Sequence, residues 1–343
     1  MRKFLRRVAL TSLKNAGIFG VVKNSEWRRQ RLLILCYHGI SLEDEHEWWP
    51  ALFISPQHLE HRLDILKKGK YAVLPLADAL ERLYRQELPP RSVVITFDDG
   101  TYDFYRQTYP RLKQHGFPST VYLSTYYSNY ERPVFNLICL YMIWKARDRG
   151  TVDLSEFGGS RSVVLASAKA RQDAATRLVQ WVEHQNLTGQ QKDEVAATVA
   201  LRLQIDYKEL CKKRILQLMN RQEVKQLAEA GVDFQLHTHR HRTPVNEELF
   251  RREIQDNRAW ISNVVGGVSK HFCYPSGVYR PEFLAWLSAE QIISATTCDT
   301  GLATRHDNPL LLPRLVDTTG RSTLEFESWA NGVGHFLSNR KRA

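Results

Sequence analysis

Short apolar runs rich in β-branched residues alternate along this chain with segments in which apolar residues recur every three or four positions. The runs predict buried strands at residues 34–37, 71–74, 93–97, 117–123, 232–236 and 271–274. The periodic segments predict helices that begin after Ser55 and that cover residues 76–85 and 105–114. Strands that alternate with helices indicate β/α units around a parallel sheet.

Residues 130–215 interrupt this alternation. Within them, residues 169–183 and 191–202 predict two helices, which follow a Gly158-Gly159-Ser160 loop. We therefore expect a helical insertion that forms a lid or a wall beside the functional site.

One predicted strand ends in two adjacent carboxylates, in the segment Thr96-Phe97-Asp98-Asp99-Gly100. The turn that Gly100 allows can bring both carboxylates toward one point, where one would hold a metal and the other would take a proton. An ordinary Asp-Asp-Gly turn is the alternative interpretation.

A histidine cluster, His237-Thr238-His239-Arg240-His241, follows the predicted strand at residues 232–236. One helical turn would place His237 and His241 on the same side, as in helix-borne zinc sites. In an extended segment His239 could replace either partner, so this choice of ligands rests on helical geometry. A solvated polar turn is the alternative. Two histidines and one carboxylate with an open position form a catalytic zinc set.

With these segments the chain resembles the polysaccharide deacetylases of carbohydrate esterase family four, the nodulation-type deacetylase homology domain. Two weaker matches are Phe272-Cys273-Tyr274-Pro275-Ser276-Gly277 and Leu312-Pro313-Arg314, and the resemblance covers residues 30–130 and 215–320. It implies a distorted, incomplete (β/α)7 TIM-like barrel with the helical insertion, and a site at the carboxyl ends of the strands.

The resemblance also implies the roles of individual residues. Asp99, His237 and His241 would bind a divalent metal, with zinc expected and cobalt, nickel or manganese also accepted by such a set. Asp98 would be the general base that activates the attacking water. The backbone N–H of Ser276 would stabilise the oxyanion.

The chain departs from the family where the third motif usually has an arginine that steadies the base. Cys273 occupies that position. We hypothesise that Arg314 replaces the missing arginine; the alternative is a surface arginine after a proline.

The family's closing Leu-x-His motif, which carries the general acid, is also altered. His335 lacks the preceding leucine, whereas an apolar strand ends in Tyr37-His38-Gly39. This resembles the rearranged deacetylases of biofilm poly-N-acetylglucosamine systems, in which the last strand has moved to the N-terminus. The resemblance therefore assigns the acid to His38, on the side of the site opposite Asp98. A histidine satisfied within a strand-end turn is the alternative.

Together the matches predict a metal-dependent hydrolase that removes N-acetyl groups from N-acetylhexosamine units of a polysaccharide, an oligosaccharide or a lipid-linked glycan precursor. Two alternatives are a catalytically silent glycan-binding module, which the missing arginine favours, and a deacylase of another amide-bearing sugar. Near the insertion, Tyr122, Tyr126, Tyr127 and Tyr130 would either stack on sugar rings or belong to the core.

Charge divides the chain of 343 residues unevenly. Its formal net charge is +11, and residues 1–31 carry nine basic groups and one acidic group. Residues 32–343 therefore carry a net charge of only +3. Such a small excess of positive charge gives no support for nucleic-acid binding. Residues 1–30 lack the features of a signal peptide or a bilayer span. They predict a basic amphipathic segment that contacts an anionic membrane surface. A solvated capping helix is the alternative.

The remaining boundaries follow from these patterns. We expect the barrel to extend over residues 31–330 and a basic tail over residues 331–343. Five scattered cysteines without a Cys-x-x-Cys pair favour a reducing compartment, and a cytoplasmic enzyme at the inner face of the membrane is expected.

Overall fold

A computed structural model describes residues 2–337 of the protein. Within them the strands are β1 (Leu33–Tyr37), β2 (Gly39–Ile40), β3 (Phe53–Ile54), β4 (Ala72–Val73), β5 (Ser92–Asp99), β6 (Thr120–Leu123), β7 (Thr151–Val152), β8 (Val163–Val164), β9 (Asp233–Leu236), β10 (His271–Cys273), β11 (Ser294–Thr300) and β12 (Leu312–Val316).

The helices of the same residues include a π-helical turn, Phe104–Thr108, that continues directly into α7. They are α1 (Arg2–Asn15), α2 (Ile18–Lys23), α3 (Glu26–Arg29), α4 (Glu45–Trp48), α5 (Pro56–Lys68), α6 (Leu76–Arg85), α7 (Tyr109–His115), α8 (Phe135–Lys145), α9 (Ala168–His184), α10 (Gly189–Arg202), α11 (Tyr207–Lys212), α12 (Arg221–Glu229), α13 (Glu247–Val265), α14 (Pro281–Ala289), α15 (Thr323–Asn331) and α16 (Val333–Phe336). Within residues 2–337, no helix combines the length and the hydrophobicity needed to cross a bilayer.

Seven parallel strands form a closed ring in the order β1, β12, β11, β10, β9, β6, β5. The ring closes because β1 pairs with both β12 and β5, and β4 adds only a short pairing at the start of β5. The predicted (β/α)7 barrel is confirmed. All seven strands point the same way, so their carboxyl ends meet at one rim.

The alternation of side chains along the ring strands separates two apolar layers. Leu35 and Ile95 belong to the cluster between the strands and the surrounding helices. Their neighbours Ile34 and Val94 belong to a second cluster, which also contains Leu80 of α6. A strand with both faces covered reads as an uninterrupted apolar run, which is why the sequence predicted these strands well.

The helix after Ser55 is also confirmed, because its side chain accepts a hydrogen bond from the His58 backbone N–H and caps α5. The helices predicted at residues 169–183 and 191–202 correspond to α9 and α10.

The insertion has a hydrophobic core of its own. Helices α8, α9 and α10 bury a cluster that includes Ile138, Leu178 and Val199, and Phe53 of β3 contributes to it from the barrel side. An antiparallel pair, β7 and β8, lies between α8 and α9. The insertion is therefore packed rather than a loose loop.

The N-terminal helices pack against the C-terminal ones. Leu10 of α1 and Phe19 of α2 are buried against Val333 of α16, and Lys14 forms an ion pair with Glu327 of α15. Residues 331–337 thus continue the fold, while residues 338–343 of the expected tail lie outside the described residues.

Candidate metal centre

The polar side chains predicted for the site lie at the carboxyl rim of the ring. Asp98 and Asp99 end β5, His237 follows β9, and His38 follows β1. Because these strands are parallel and belong to one closed sheet, side chains far apart in sequence meet at this rim.

Asp99, His237 and His241 converge on one point. The Oδ1 atom of Asp99 lies 3.3 Å from Nε2 of His237 and 3.2 Å from Nε2 of His241. Asp99 has a left-handed φ of 71°, and Gly100 after it is required because a Cβ there would lie 2.2 Å from Cδ1 of Leu123.

One hydrogen bond fixes the tautomer of His237. Its Nδ1 lies 2.8 Å from the backbone carbonyl oxygen of Cys273. A carbonyl can only accept, so Nδ1 must carry the proton and donate it. The lone pair of Nε2 in the neutral ring therefore points toward Asp99, the arrangement that a metal-binding histidine needs.

The three groups fit a divalent cation. Each offers a ligand atom within 4.8 Å of the others, and Asp99 Oδ1 is a buried oxygen without a hydrogen-bond partner among the described residues. Burial opposes ionisation of Asp99, but His241 and His237 in their protonated forms outweigh it and lower the pKa of this carboxyl; a divalent cation would take the place of those protons. Two imidazole nitrogens, one carboxylate oxygen and an open side match the donor set of catalytic zinc.

The helical geometry expected for residues 237–241 is wrong. The segment is a bend in which Thr238 and His241 have left-handed φ angles of 61° and 53°. This bend returns His241 to His237, so that their ring centroids lie 4.9 Å apart. It turns His239 away, toward the hydroxyl of Thr125 at 2.8 Å from Nδ1, so His239 is not a member of the cluster.

Two buried residues of α13 hold this bend, and sequence reasoning missed both. Asn257 accepts a hydrogen bond from the His237 backbone N–H and donates one to the carbonyl of Leu123, at 2.9 Å each. Glu253 accepts bonds from the Arg240 backbone N–H at 2.7 Å and from Nε of Arg242 at 2.9 Å.

Arg314 pairs with Asp98 through both of its terminal nitrogens. Its Nη1 and Nη2 groups donate to Oδ1 and Oδ2 of Asp98, each at 2.7 Å. The arginine is 0% exposed, so the surface alternative is wrong. Burial opposes ionisation of Asp98, but the guanidinium overrides it and lowers the pKa of the carboxyl. Asp98 is therefore a carboxylate held in one orientation.

His38 lies beside Asp98 and not opposite it. Residues 37 and 97 are register partners on the adjacent strands β1 and β5, so the next residue on each strand points inward at the same level. The distance from Nε2 of His38 to Oδ2 of Asp98 is 3.8 Å. Burial lowers the pKa of His38, and the carboxylate of Asp98 opposes that shift in part.

Two cysteines complete the surroundings of Asp98. The Sγ atoms of Cys36 and Cys273 lie 3.5 Å and 3.4 Å from its Oδ2. Burial raises the pKa of both thiols, so both are protonated at neutral pH. Sequence reasoning treated Cys273 as the position of a missing arginine and Cys36 as one of five scattered cysteines, and it placed neither thiol beside the base.

The other candidates do not join this cluster. Ser276 is exposed in the turn after β10, with a left-handed φ of 56°. His335 packs against Trp27 in α3, with ring centroids 5.4 Å apart. Tyr122 is buried inside the barrel. Tyr126 contacts the ring of His239, with centroids 5.7 Å apart.

The chain is similar in sequence to proteins of one family. A sequence model of the polysaccharide deacetylase family matches residues 85–291, more than half of the chain. YxkH of Bacillus subtilis (strain 168), which carries a provisional polysaccharide deacetylase name, is 32% identical over 94 residues, or 27% of this chain and 32% of that protein. The chain thus spans about a third of the length of this curated relative.

Solved structures show the same fold. The Streptococcus pyogenes deacetylase PplD, in complex with acetate, superposes with a TM-score of 0.55 at 19% identity, over 85% of this chain and 94% of that one. IcaB from Ammonifex degensii gives a TM-score of 0.53 at 16% identity, over 88% of this chain and 97% of that one. At these identities the likeness supports the fold.

Proposed function

The chain belongs to the polysaccharide deacetylase family, and from this we propose that it is a metal-dependent hydrolase that removes N-acetyl groups from N-acetylhexosamine units of a glycan. The observation that carries the proposal is the convergence of Asp99, His237 and His241 directly beside the Asp98–Arg314 pair. A ligand set and a separate, oriented base are the two parts that amide hydrolysis requires.

Each residue has a chemical task in this proposal. Asp99, His237 and His241 would hold the divalent cation, which when bound lowers the pKa of water and polarises the amide carbonyl. Asp98 accepts the proton of the attacking water, and Arg314 keeps the base ionised and aligned. The backbone N–H of Ser276 donates to the oxyanion.

The contact between Asp98 and His38 suggests how the proton reaches the leaving group. The nitrogen of a sugar amide leaves only when protonated, and His38 is the neighbouring group that can donate to it. Nε2 of His38 and Oδ2 of Asp98 are 3.8 Å apart, so the proton that Asp98 takes from water would pass to His38 through a bridging water or after a small approach of the two groups, and then to the amine. Acetate and a free amino sugar are the products.

Arg314 weakens the case for a silent glycan-binding module. That alternative rested on the missing arginine of the third motif. A buried guanidinium that binds both oxygens of Asp98 supplies the charge that Cys273 lacks. The base is therefore oriented as a hydrolase needs it.

Acetate release tests the proposal. Purified protein with zinc should release acetate from N-acetylglucosamine oligomers, and Asp98→Asn should abolish release while it retains bound metal. His237→Ala should lose the metal as well as the activity, whereas His239→Ala should keep both. Wild-type protein that binds no zinc, cobalt, nickel or manganese would contradict the proposal.

We also propose that the N-terminal helices contact an anionic membrane, at the inner face where lipid-linked precursors are assembled. α1 buries Leu10 but exposes Phe4, Leu5 and Val8, and Val21 of α2 is 68% exposed. These exposed apolar side chains belong to a strongly basic segment, the combination that binds an anionic bilayer interface.

Vesicle sedimentation tests this membrane contact. The full chain should sediment with vesicles that contain phosphatidylglycerol and remain in the supernatant with phosphatidylcholine alone. Phe4→Ser with Val21→Ser should release it, whereas the matched control Leu201→Ser, an exposed leucine of the insertion, should not. Equal binding by both variants would refute this membrane contact.

The insertion is proposed as a wall of the substrate cleft. Tyr126 and Tyr130 stand at its junction with the barrel, with ring centroids 5.3 Å apart, and the guanidinium of Arg240 lies over Tyr126. Aromatic faces next to the ligand loop suit the apolar faces of sugar rings. Tyr130→Ala should raise KM for oligomers more than for the monosaccharide if this placement is correct.

A further inference from the structure

We propose that Cys36, His38 and Asp98 form a second cation site, selective for thiophilic metals, whose occupation switches the enzyme off. The proposal rests on the proposed function, because it assigns the inhibition to loss of the base and the acid. The three side chains offer a sulfur, a nitrogen and an oxygen atom that all lie within 4.8 Å of one another.

The measured distances match a tetrahedral metal. With typical zinc distances of about 2.3 Å to sulfur, 2.1 Å to nitrogen and 2.0 Å to oxygen, tetrahedral angles place sulfur and oxygen about 3.5 Å apart, and nitrogen and oxygen about 3.3 Å apart. The observed separations from Asp98 Oδ2 are 3.5 Å to Cys36 Sγ and 3.8 Å to His38 Nε2. The nitrogen–oxygen separation is about 0.5 Å longer than the tetrahedral value, so the imidazole must move toward Asp98 when the cation binds.

Arg314 leaves room for this cation. Its Nη2 group uses one lone pair of Asp98 Oδ2, and a carboxylate oxygen has two. The other is available to a cation between Oδ2, Cys36 Sγ and His38 Nε2, which lie 3.5 Å and 3.8 Å from this oxygen. Cys273 also approaches Oδ2, but its sulfur lies 3.1 Å from Nη2 of Arg314, so it belongs to the arginine side of the carboxylate.

Charge balance also permits binding. When the cation binds, the Cys36 thiol releases its proton to solvent and a metal–sulfur bond replaces the S–H bond. Asp98, the new thiolate, Arg314 and the divalent cation then sum to one positive charge, the same as a cation held by Asp99 and two neutral imidazoles. Repulsion from the first cation would make this the weaker site, filled only when metal is in excess.

Occupation would remove both proton carriers at once. The lone pair of Asp98 that accepts the proton of water, and the imidazole nitrogen of His38 that passes it on, would both be metal ligands. Asp99, His237 and His241 would remain filled, so inhibited protein would contain more metal than active protein.

Cadmium titration of the metal-free full chain tests the proposal. Two equivalents should bind, and the second should produce the ultraviolet charge-transfer band of a cadmium–thiolate bond. In zinc-loaded protein, acetate release should fall as added cadmium produces this band. Cys36→Ser should bind one equivalent without the band. The cadmium concentration that halves its own uninhibited rate should be at least about tenfold higher than the concentration that halves the rate of wild type. The control Cys211→Ser, a partly exposed thiol of α11, should behave as wild type.

His237→Ala separates the two hypotheses. It should lose the first equivalent and keep the thiolate band if both sites are correct. A band that persists in Cys36→Ser, or wild-type protein with no band at two equivalents, would overturn the second site alone. A different result would overturn the metal centre of the proposed function instead. In that case wild-type protein binds a single equivalent, His237→Ala still binds it, and Cys36→Ser loses the band.

Discussion

Replacing Arg314 by methionine isolates the contribution of the arginine that the family normally places elsewhere. Methionine fills much of the same space but leaves Asp98, 2% exposed, as an unpaired buried charge. Breaking a buried pair in this way costs about 3–5 kcal/mol of folding stability. Burial then raises the pKa of Asp98, opposed only by the weaker effects of His38 and His237. We expect kcat/KM at neutral pH to fall about 10²–10⁴-fold, the contribution of a general base.

A double variant tests whether position matters or only the charge. Cys273 Sγ lies 3.1 Å from Nη2 of Arg314, so an arginine from β10 would enter the same space. Cys273→Arg with Arg314→Met restores the arrangement usual in the family. It should recover at least about tenfold in kcat/KM over Arg314→Met, equivalent to about 1.4 kcal/mol.

The assay is acetate release from N-acetylglucosamine oligomers, with bound metal and urea unfolding measured on the same samples. Arg28→Met is the matched control, because Arg28 is also fully buried but donates to the backbone carbonyls of Ala330 and Ser92, at the start of β5. It should lose stability and keep kcat/KM. The reasoning fails if folded, metal-loaded Arg314→Met retains wild-type kcat/KM, or if the control loses as much.

Three further predictions concern the bound metal, the buried carboxyl of Asp103 and the backbone at Gly100. Chelation should lower the thermal midpoint of wild type by removing about 2.7 kcal/mol of binding energy at a hundredfold excess over Kd, while His237→Ala should not respond. Burial raises the pKa of Asp103 to about 7, so the folded chain holds this proton at pH values where the unfolded chain has released it. The unfolding free energy should therefore fall as pH rises from 4 to 8. Asp103→Asn should abolish this fall and, in urea titrations at pH 8, should be more stable than wild type by up to about 4 kcal/mol. Gly100→Ala should cost about 1–3 kcal/mol by calorimetry, because its Cβ would lie 2.2 Å from Leu123 Cδ1 at a φ of 81°; a loss below about 0.5 kcal/mol would contradict the strain.

Five of the seven ring strands were predicted from their apolar runs, and the helices between them from their periodicity. The other two, β11 and β12, were not predicted; β11 contains three threonines and an aspartate and therefore shows no apolar run. The strands at residues 93–97 and 232–236 correspond to β5 and β9 with ends shifted by at most two residues. α8 escaped prediction because it is apolar on nearly all sides, and a continuous apolar run does not distinguish a buried helix from a strand.

The composition of the site was more predictable than its geometry. The placement of His38 beside Asp98 depends on β1 pairing with β5, a closure between distant segments that no local pattern encodes. The bend at His237 depends on left-handed backbone at Thr238 and His241. Neither position is a glycine, so the sequence gives no sign of this conformation.

A signal for the supporting residues was nevertheless present. Glu253 and Asn257 are one helical turn apart and lie in the same stripe of α13 as the buried residues Phe250, Ile254 and Ile261. Polar residues within an apolar stripe need partners when buried. Such positions therefore indicate which helix supports a site.

Four non-glycine residues around the rim, Asp99, Thr238, His241 and Ser276, share the left-handed backbone conformation. Each costs about 1–2 kcal/mol, and their sum approaches the net stability of an ordinary domain, about 5–15 kcal/mol. The strands beneath must restrain loops that would relax if released. Mild warming should therefore abolish activity while the strands are still paired. Acetate release should be lost at a lower temperature than the circular dichroism signal of the barrel.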